Sequence, residues 1–205
     1  GDLIRYYADV APVLLPHIRD RAMVMKRYPH GAAGDFFFMK RAPEPRPAWI
    51  RTCAIDHGSK GVIDFPVIDD LASLLWVINL GCIDLNQWYA RCDDVDRPDY
   101  VHFDLDPGEG ATFKTVLEVA HLVHDELAAL KVPSVPKTSG SRGLHIYIPL
   151  APETTYESGM LFCQIVATVI AARHPKIATV ERTVRARRRG TVYVDYLQNI
   201  LGKTL

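Results

Sequence analysis

The sequence predicts an α+β fold, and three observations support that class. Four segments carry apolar residues at helical spacing, and short runs rich in β-branched and aromatic residues lie between them, separated by turn residues. From residue 96 to residue 205 the predicted elements follow the order β-α-β-β-α-β, which is typical of a split βαβ antiparallel sheet. Residues 1–95 predict a smaller mixed α/β module packed against that sheet. We therefore expect one domain of two modules, 1–95 and 96–205, that lacks terminal segments.

The N-terminal module is predicted to contain two helices and several short strands. The first helix runs from Asp2 to about His17, where apolar residues recur every three or four positions. The second begins after Asp69 or Asp70, residue types that cap helices, and is closed by Gly81. The predicted strands are 22–28, 35–39, 49–55, 62–66 and 82–90, and a polar stretch then leads to the next module.

The C-terminal module begins with a strand, 101–107, that ends in two carboxylates. The clearest helix of the chain follows at 112–130 and is stopped by Pro133, and a second helix is predicted from Tyr156 to Arg173. The remaining predicted strands are 134–138, 144–149, 178–184 and 191–197, and the turn 139–143 joins the first two of them.

Composition excludes several classes of protein. The chain has 205 residues, 48% of them apolar and 23% charged, as expected for one globular domain. It contains no apolar run that would span a bilayer and no export leader, so we expect a cytoplasmic protein without a membrane partner. Its four cysteines form no C-x-x-C pair, which argues against a zinc ribbon and a disulfide framework. The net charge is zero, so nucleic-acid binding must depend on local clusters.

Asp104 and Asp106 are the most informative residues. Side chains alternate between the faces of a strand, so the two carboxylates project from the same face while Phe103 and Leu105 pack into the core. Two like charges at one place repel each other, and a bound Mg²⁺ or Mn²⁺ would remove that repulsion. Taken alone, the pattern is equally consistent with a strand that ends in a solvated acidic turn.

Two further segments could complete a site with these carboxylates. The turn Ser139–Gly143, with Arg142 within it and His145 just after it, can direct backbone N–H groups, hydroxyls and a guanidinium at one phosphate. The alternative is a flexible hairpin turn with a surface arginine. Asp195 follows another apolar strand, and three carboxylates from two strands could hold two cations for attack on phosphorus. The alternative is a strand-end aspartate without a partner.

Basic and aromatic residues suggest a nucleic-acid surface. The densest basic run lies at 182–189 and could neutralise a triphosphate or a nucleic-acid backbone, although such a run is more often a solvated face. Phe36, Phe37 and Phe38 lie close to Lys26 and Lys40 and could stack on bases. Because alternate residues of a strand are buried, we expect at least one of the three phenylalanines to lie in the core.

The order of three motifs resembles a known family. H-F-D-L-D-P, T-S-G-S-R-G-L-H and V-D-Y-L-Q-N are similar to the three motifs of the archaeo-eukaryotic primase superfamily. More narrowly, they resemble the polymerase domains of bacterial ligase D and the stand-alone relatives that work with ligase C. G-D-F-F-F-M-K-R-A-P and I-N-L-G-C-I-D-L-N-Q-W extend the resemblance across nearly the whole chain.

The resemblance implies a fold, an activity and a set of partners. The fold would be a primase-polymerase core with an RRM-like sheet and the active site in the cleft between the two modules. The activity would be a nucleotidyltransferase that adds nucleotides, preferentially ribonucleotides, to a primer 3′-hydroxyl at DNA ends or gaps during bacterial end joining or excision repair. The implied partners are 5′-phosphorylated DNA, nucleoside triphosphates, two Mn²⁺ or Mg²⁺ ions, an ATP-dependent ligase of the D or C type, and Ku, at the bacterial nucleoid.

The resemblance also assigns roles to individual residues. Asp104, Asp106 and Asp195 would be catalytic and would hold the metal ions. DNA would contact Phe37, Phe38, Lys26 and Lys40. The incoming nucleotide would contact Ser139, Arg142, His145, Arg188 and Gln198.

Two departures from the family pattern qualify these expectations. Asn86 stands where ligase D domains carry a histidine near the nucleotide, which favours the ligase C-associated relatives and leaves the choice of sugar open. The family's lysine for the DNA 5′-phosphate falls outside this chain. Two other classes stay as alternatives: a haloacid-dehalogenase-like phosphatase, which shares a D-x-D motif, and a non-catalytic module that binds DNA ends.

Overall fold

The computed structural model describes residues 1–56, 58 and 61–204. It divides into two compact units, residues 1–95 together with Thr204, and residues 96–203. Within the described part of the chain, no helix is both long and apolar enough to cross a membrane.

The first unit contains two helices, α1 (Asp2–Ile18) and α2 (Leu71–Asn79). Its central sheet is antiparallel, with the strand order β2-β1-β5, and β3 and β4 form a separate hairpin. Two more short strands, β6 and β7, pair where the chain passes into the second unit. The strands are β1 (Met23–Arg27), β2 (Phe37–Met39), β3 (Thr52–Asp56), β4 (Val62–Pro66), β5 (Cys82–Gln87), β6 (Ala90–Arg91) and β7 (Asp94–Pro98).

Capping fixes the start of α2. Asp70 is the N-cap, because its carboxylate accepts a hydrogen bond of 2.8 Å from the backbone N–H of Ser73. Asp69, the other predicted cap, instead accepts a hydrogen bond of 2.8 Å from the backbone N–H of Asp20. Gly81 follows the helix at φ +79°, a conformation that favours glycine.

The second unit contains the predicted split βαβ sheet. Its strand order is β11-β12-β8-β10-β9, with antiparallel pairs except for β11 and β12, which are parallel. Strand β10 lies between β8 and β9, the two strands that α3 connects, which confirms the predicted fold class. The elements are β8 (Tyr100–Pro107), α3 (Phe113–Ala129), β9 (Val135–Thr138), β10 (Leu144–Pro149), α4 (Tyr156–Arg173), β11 (Ala178–Thr179) and β12 (Val192–Asp195), with 3-10 helices Val184–Ala186 and Leu197–Asn199.

Alternation along β8 separates core from site. Val101, Phe103 and Leu105 are fully buried and pack against the apolar sides of α3 and α4. The helix residues in this core include Val119, Val123, Cys163 and Ile170. Tyr100, His102, Asp104 and Asp106 project from the other face of the strand. The helices thus cover one face of the sheet, and the opposite face carries the polar side chains.

Several strands differ in their bounds from those predicted, and two of the differences have a clear physical reason. The strand expected at 178–184 consists only of Ala178–Thr179, because the chain then folds into a loop closed by the Arg187 guanidinium. That guanidinium donates hydrogen bonds to the carbonyls of Glu181, at 2.8 Å, and Arg182, at 3.1 Å. Strand β7 was not predicted, since its sequence, Asp94–Pro98, is mostly polar.

Candidate active site

Three carboxylates lie on the polar face of the second unit's sheet. The register of β12 and β8 places Asp195 directly opposite Asp104, and Tyr193 directly opposite Asp106. Residues opposite each other on neighbouring strands share a face, with their Cβ atoms about 5 Å apart. Asp106 lies two residues along β8 and on the same face. The sheet therefore brings together the three residues that the sequence predicted to bind metal.

Burial and mutual repulsion perturb two of these carboxylates. The Asp104 side chain is only 16% exposed. Its burial, and then the charges of Asp106 and Asp195, raise its pKa to about 7. Burial and Asp195 also raise the pKa of Asp106, an effect that Arg187 and Arg142 oppose. Carboxylates that repel each other in a partly dry site are suited to a bound cation.

Asp195 is held by the segment that follows it. Its carboxylate accepts hydrogen bonds from the backbone N–H of Leu197 at 2.7 Å, the amide of Gln198 at 3.0 Å and the hydroxyl of Tyr193 at 3.2 Å. Gln198, which the family resemblance assigned to the nucleotide, thus contacts the third carboxylate. These bonds hold the Asp195 side chain in one orientation.

His145 continues the row of polar residues across the sheet. It lies directly opposite Asp104 on one side and Lys137 on the other, and its Nε2 is 3.5 Å from the Asp104 carboxylate. Burial and the positive charge of Lys137 lower the pKa of His145 to about 4, so its imidazole is neutral at pH 7. A neutral imidazole can donate one hydrogen bond from whichever nitrogen carries the proton.

The turn between β9 and β10 is shaped by Ser139 and Gly143. The Ser139 hydroxyl oxygen accepts hydrogen bonds from the backbone N–H of Ser141, at 3.2 Å, and of Gly143, at 3.1 Å. Its own hydrogen remains available to donate. A Cβ on Gly143 would lie 2.5 Å from the carbonyl oxygen of Leu105, so only glycine allows the turn to approach β8 this closely.

A cleft of about 610 Å³ opens beside the end of β8. Its lining includes two arginines, Arg142 and Arg187, and the carboxylate residue Asp106. Its lining comprises Asp106–Ala111, Ser139, Ser141–Gly143, Val184 and Arg187. All of these residues belong to the second unit.

Arg187, rather than the predicted Arg188, lines this cleft. Its guanidinium lies 3.9 Å from the centre of the Tyr193 ring and is held by the two loop carbonyls described above. Arg188 has an exposed side chain, and its carbonyl accepts a hydrogen bond of 2.6 Å from Thr191. In the sequence, the only signal for Arg187 was its place in a dense basic run. Which arginine of that run lines the cleft depends on the path of the loop, which the sequence does not give.

The donor set fits a divalent cation by its chemistry. Among the residues that the structure describes, no three His, Cys, Asp or Glu side chains are arranged so that they could hold a metal ion as they stand. Asp104, Asp106 and Asp195 nevertheless place carboxylate oxygens on one face, and the pKa values of Asp104 and Asp106 are raised by burial and by neighbouring carboxylates. Carboxylate oxygens are the hard ligands that Mg²⁺ and Mn²⁺ prefer.

The predicted DNA-contacting residues lie in the first unit. Phe36, Phe37 and Phe38 are 50%, 45% and 59% exposed, so the expectation that at least one lies in the core is wrong. Strand β2 is a three-residue edge strand, exposed at Phe37 and Phe38 and partly buried only at Met39. Phe38 lies opposite Lys26 on the neighbouring strand, and Phe37 lies opposite Arg27 on the other face.

The cations beside the phenylalanines are already engaged. The Lys26 ammonium is 2.8 Å from the Asp84 carboxylate and 4.3 Å from the centre of the Phe36 ring. Lys40, which follows β2, is half-buried. Asn86 lies in β5 opposite Val24, and its amide donates a hydrogen bond of 3.2 Å to the carbonyl of Asp84.

Comparison with known proteins accounts for this arrangement. The family described as the LigD primase-polymerase domain matches residues 1–205 of the chain. The chain belongs to this family. Its class is therefore that of the nucleotidyltransferases that act as polymerases, and the phosphatase alternative falls away.

Individual relatives agree with the family match. The LigD proteins of Mycolicibacterium smegmatis and Bacillus subtilis are 34% and 33% identical over the whole chain. The chain spans 27% and 32% of their lengths, so it corresponds to about a quarter to a third of each relative. The polymerase domain of Mycobacterium tuberculosis ligase D in complex with DNA matches 99% of this chain and 73% of its own, with a TM-score of 0.92 and 32% identity.

The match confirms the predicted fold class and family. The closer similarity to ligase C-associated relatives, the boundary between modules and the placement of the site in a cleft between them stay predictions.

Proposed function

We propose that this primase-polymerase domain extends a primer 3′-hydroxyl at DNA breaks or gaps with nucleoside triphosphates. The observation that carries the proposal is that Asp104 and Asp195 lie directly opposite each other on neighbouring strands. Asp106, on the same face, lines a cleft that also contains two arginines. Carboxylates beside an anion-binding cleft suit phosphoryl transfer, in which alignment and charge stabilisation matter more than a protein base.

The carboxylates would hold the metal. Asp104, Asp106 and Asp195 are the ligands we assign to two Mn²⁺ or Mg²⁺ ions, which when bound would activate the primer hydroxyl and stabilise the charge on the leaving phosphate. The hydrogen bonds from Leu197 and Gln198 keep Asp195 oriented before any ion arrives. Because the pKa of Asp104 is raised to about 7, this residue would have to lose its proton near neutral pH in order to serve as a ligand.

The cleft would hold the triphosphate. Arg142 and Arg187 supply guanidinium groups for phosphate oxygens, and the Ser139 hydroxyl can donate a further hydrogen bond. His145 is neutral, so its contribution is a hydrogen bond rather than a positive charge. Arg188 stays a proposed contact through the family resemblance, although it is exposed and is not part of the cleft lining.

The exposed phenylalanines would hold DNA. Phe37 and Phe38 offer ring faces for stacking on bases, which is tolerant of sequence. Lys26 and Lys40 would add electrostatic attraction to the backbone. The Mycobacterium tuberculosis ligase D polymerase domain was solved in complex with DNA, which supports a DNA substrate for this chain.

The names of the relatives support a proposal for the biological setting. The LigD proteins of Mycolicibacterium smegmatis and Bacillus subtilis are named for non-homologous end joining. We assign the chain to bacterial end joining or excision repair at the nucleoid, acting with an ATP-dependent ligase and with Ku. A preference for ribonucleotides over deoxynucleotides belongs to the same proposal.

A gap-filling assay tests the proposal. The protein is incubated with a gapped, 5′-phosphorylated duplex and Mn²⁺, with ribo- or deoxynucleoside triphosphates in separate reactions. We expect primer extension that chelation abolishes, faster with ribonucleotides, and none with Asp104→Asn. DNA binding without extension under any metal would replace the proposal with the end-binding alternative, and faster use of deoxynucleotides would overturn the ribonucleotide preference alone.

A further inference from the structure

Asn199 is a buried polar residue to which the family motifs assign no role. Its side chain is fully buried at the end of the 3-10 helix Leu197–Asn199. Its amide oxygen accepts a hydrogen bond of 2.9 Å from the backbone N–H of His102, and its amide nitrogen donates one of 2.7 Å to the carbonyl of the same residue. A third hydrogen bond, of 2.9 Å, goes to the carbonyl of Tyr196.

The register of the sheet shows what this amide replaces. Strand β12 pairs with β8 as far as Asp195 opposite Asp104, and two further residues of the same register would set Leu197 opposite His102. The chain instead turns away at Tyr196 into the 3-10 helix. Asn199 then offers one acceptor and one donor to the backbone groups of His102 that a continuing strand would have paired.

The replacement of strand pairing by the Asn199 amide has a consequence for the carboxylates. Because the strand stops at Asp195, the backbone N–H of Leu197 and the amide of Gln198 can turn back to bind the Asp195 carboxylate. The same short helix is tied by Asn199 to β8 two residues before Asp104. One amide therefore connects the support of Asp195 to the strand that carries Asp104 and Asp106.

We propose that Asn199 is a positioning residue of the metal site, which fixes Asp195 relative to Asp104 by replacing a missing strand residue. The inference rests on the proposed function in one respect, the binding of a divalent cation by the three aspartates. Groups that orient metal ligands typically change metal affinity by 10- to 100-fold when they are removed.

The test measures binding of Mn²⁺ alone, by isothermal titration calorimetry, in the wild-type protein and in Asn199→Ala. We expect the dissociation constant to rise at least roughly tenfold in the variant, and raised Mn²⁺ to restore part of the primer extension. The matched control is Val166→Ala, in the core between α4 and the other face of the sheet. It should lower the melting temperature while changing the Mn²⁺ dissociation constant less than twofold.

The other possible results of the Mn²⁺ titration also decide the proposal. An unchanged Mn²⁺ dissociation constant in folded Asn199→Ala would overturn the positioning role, as would an equal rise in Val166→Ala. If Asn199→Ala does not fold, Asn199→Ser, which replaces the amide by a single hydroxyl that can still form a hydrogen bond, is measured in the same way against the same criterion. Wild-type protein that binds Mn²⁺ but extends no primer would refute the proposed function and leave this test valid, whereas wild-type protein that binds no Mn²⁺ would refute this proposal.

Discussion

The guanidinium of Arg187 lies 3.9 Å from the centre of the Tyr193 ring, whose hydroxyl donates a hydrogen bond of 3.2 Å to Asp195. The same guanidinium is bonded to two loop carbonyls and lines the cleft beside Asp106. The positive charge of Arg187 is thus held in place next to the carboxylates before any nucleotide binds. Such pre-organisation lowers the entropic cost of binding an anion.

Replacing Arg187 should therefore weaken nucleotide binding. We expect Arg187→Gln to raise the KM for nucleoside triphosphates roughly 10- to 100-fold, since a hydrogen bond to a charged group contributes about 1.5–3 kcal/mol, with a smaller change in kcat. Arg187→Lys should recover only part of the loss, because lysine lacks the planar fork. Steady-state extension assays measure both constants.

Arg185→Gln is the matched control, since Arg185 lies in the same exposed loop but outside the cleft lining. An equal rise in KM in this variant would show that general positive charge, rather than Arg187 itself, governs binding.

Asp104→Asn should remove primer extension and also change stability with pH. The carboxyl of Asp104 has its pKa raised from 3.8 to about 7, so the folded protein holds this proton more tightly than the unfolded chain. Its stabilising effect is complete below about pH 4 and is lost as the pH rises through 7. The neutral amide avoids that loss, so metal-free Asp104→Asn should be more stable than wild type by roughly 2–4 kcal/mol at pH 8.

Urea unfolding in the presence of chelator at pH 5 and at pH 8 checks this expectation. The advantage of Asp104→Asn should be smaller at pH 5. An advantage that is independent of pH, or a variant less stable at pH 8, would contradict the raised pKa.

Gly143→Ala should damage the turn by direct collision. The added Cβ would lie 2.5 Å from the Leu105 carbonyl oxygen, so the turn must move away from β8 and from the cleft. We expect a loss of about 2–3 kcal/mol in the free energy of unfolding and a raised KM for nucleotide. Denaturant unfolding and extension kinetics measure the two effects.

Gly140→Ala provides the comparison. Gly140 has φ +84° and nothing within 4 Å of an added Cβ, so only backbone strain of about 1–2 kcal/mol is expected. A larger loss for Gly140→Ala than for Gly143→Ala would show that close approach to Leu105 is not the constraint.

Phe38→Ala should weaken DNA binding with little effect on nucleotide binding. Its ring is 59% exposed, so truncation removes little core packing, and stacking on a base contributes about 1–3 kcal/mol. Fluorescence anisotropy with a gapped duplex gives the dissociation constant, and the melting temperature should stay close to that of wild type.

Phe113→Ala is the control, because Phe113 is 49% exposed at the start of α3 in the second unit. Equal weakening by both substitutions would indicate a non-specific loss of apolar surface rather than a stacking contact at Phe38.

Much of this molecule follows from local rules of sequence. Alternation in a strand was enough to place Asp104 and Asp106 on one face, helical spacing located α1, α3 and α4, and the order of three motifs identified the family. These features depend on residues close together in the chain, where backbone geometry leaves few choices.

The tertiary structure decided which residues from distant parts of the chain contact each other. The pairing of Asp195 with Asp104 and the contact of Asn199 with His102, 97 positions away in the chain, depend on sheet register. Arg187 lines the cleft because the loop folds back so that its guanidinium bonds to the loop's own carbonyls. The exposure of Phe36–Phe38 depends on β2 being an edge strand. The sequence by itself determined which groups could bind metal and phosphate, whereas long-range pairing of strands decided which of them meet, because register is set by hydrogen bonds between residues that local propensity cannot relate.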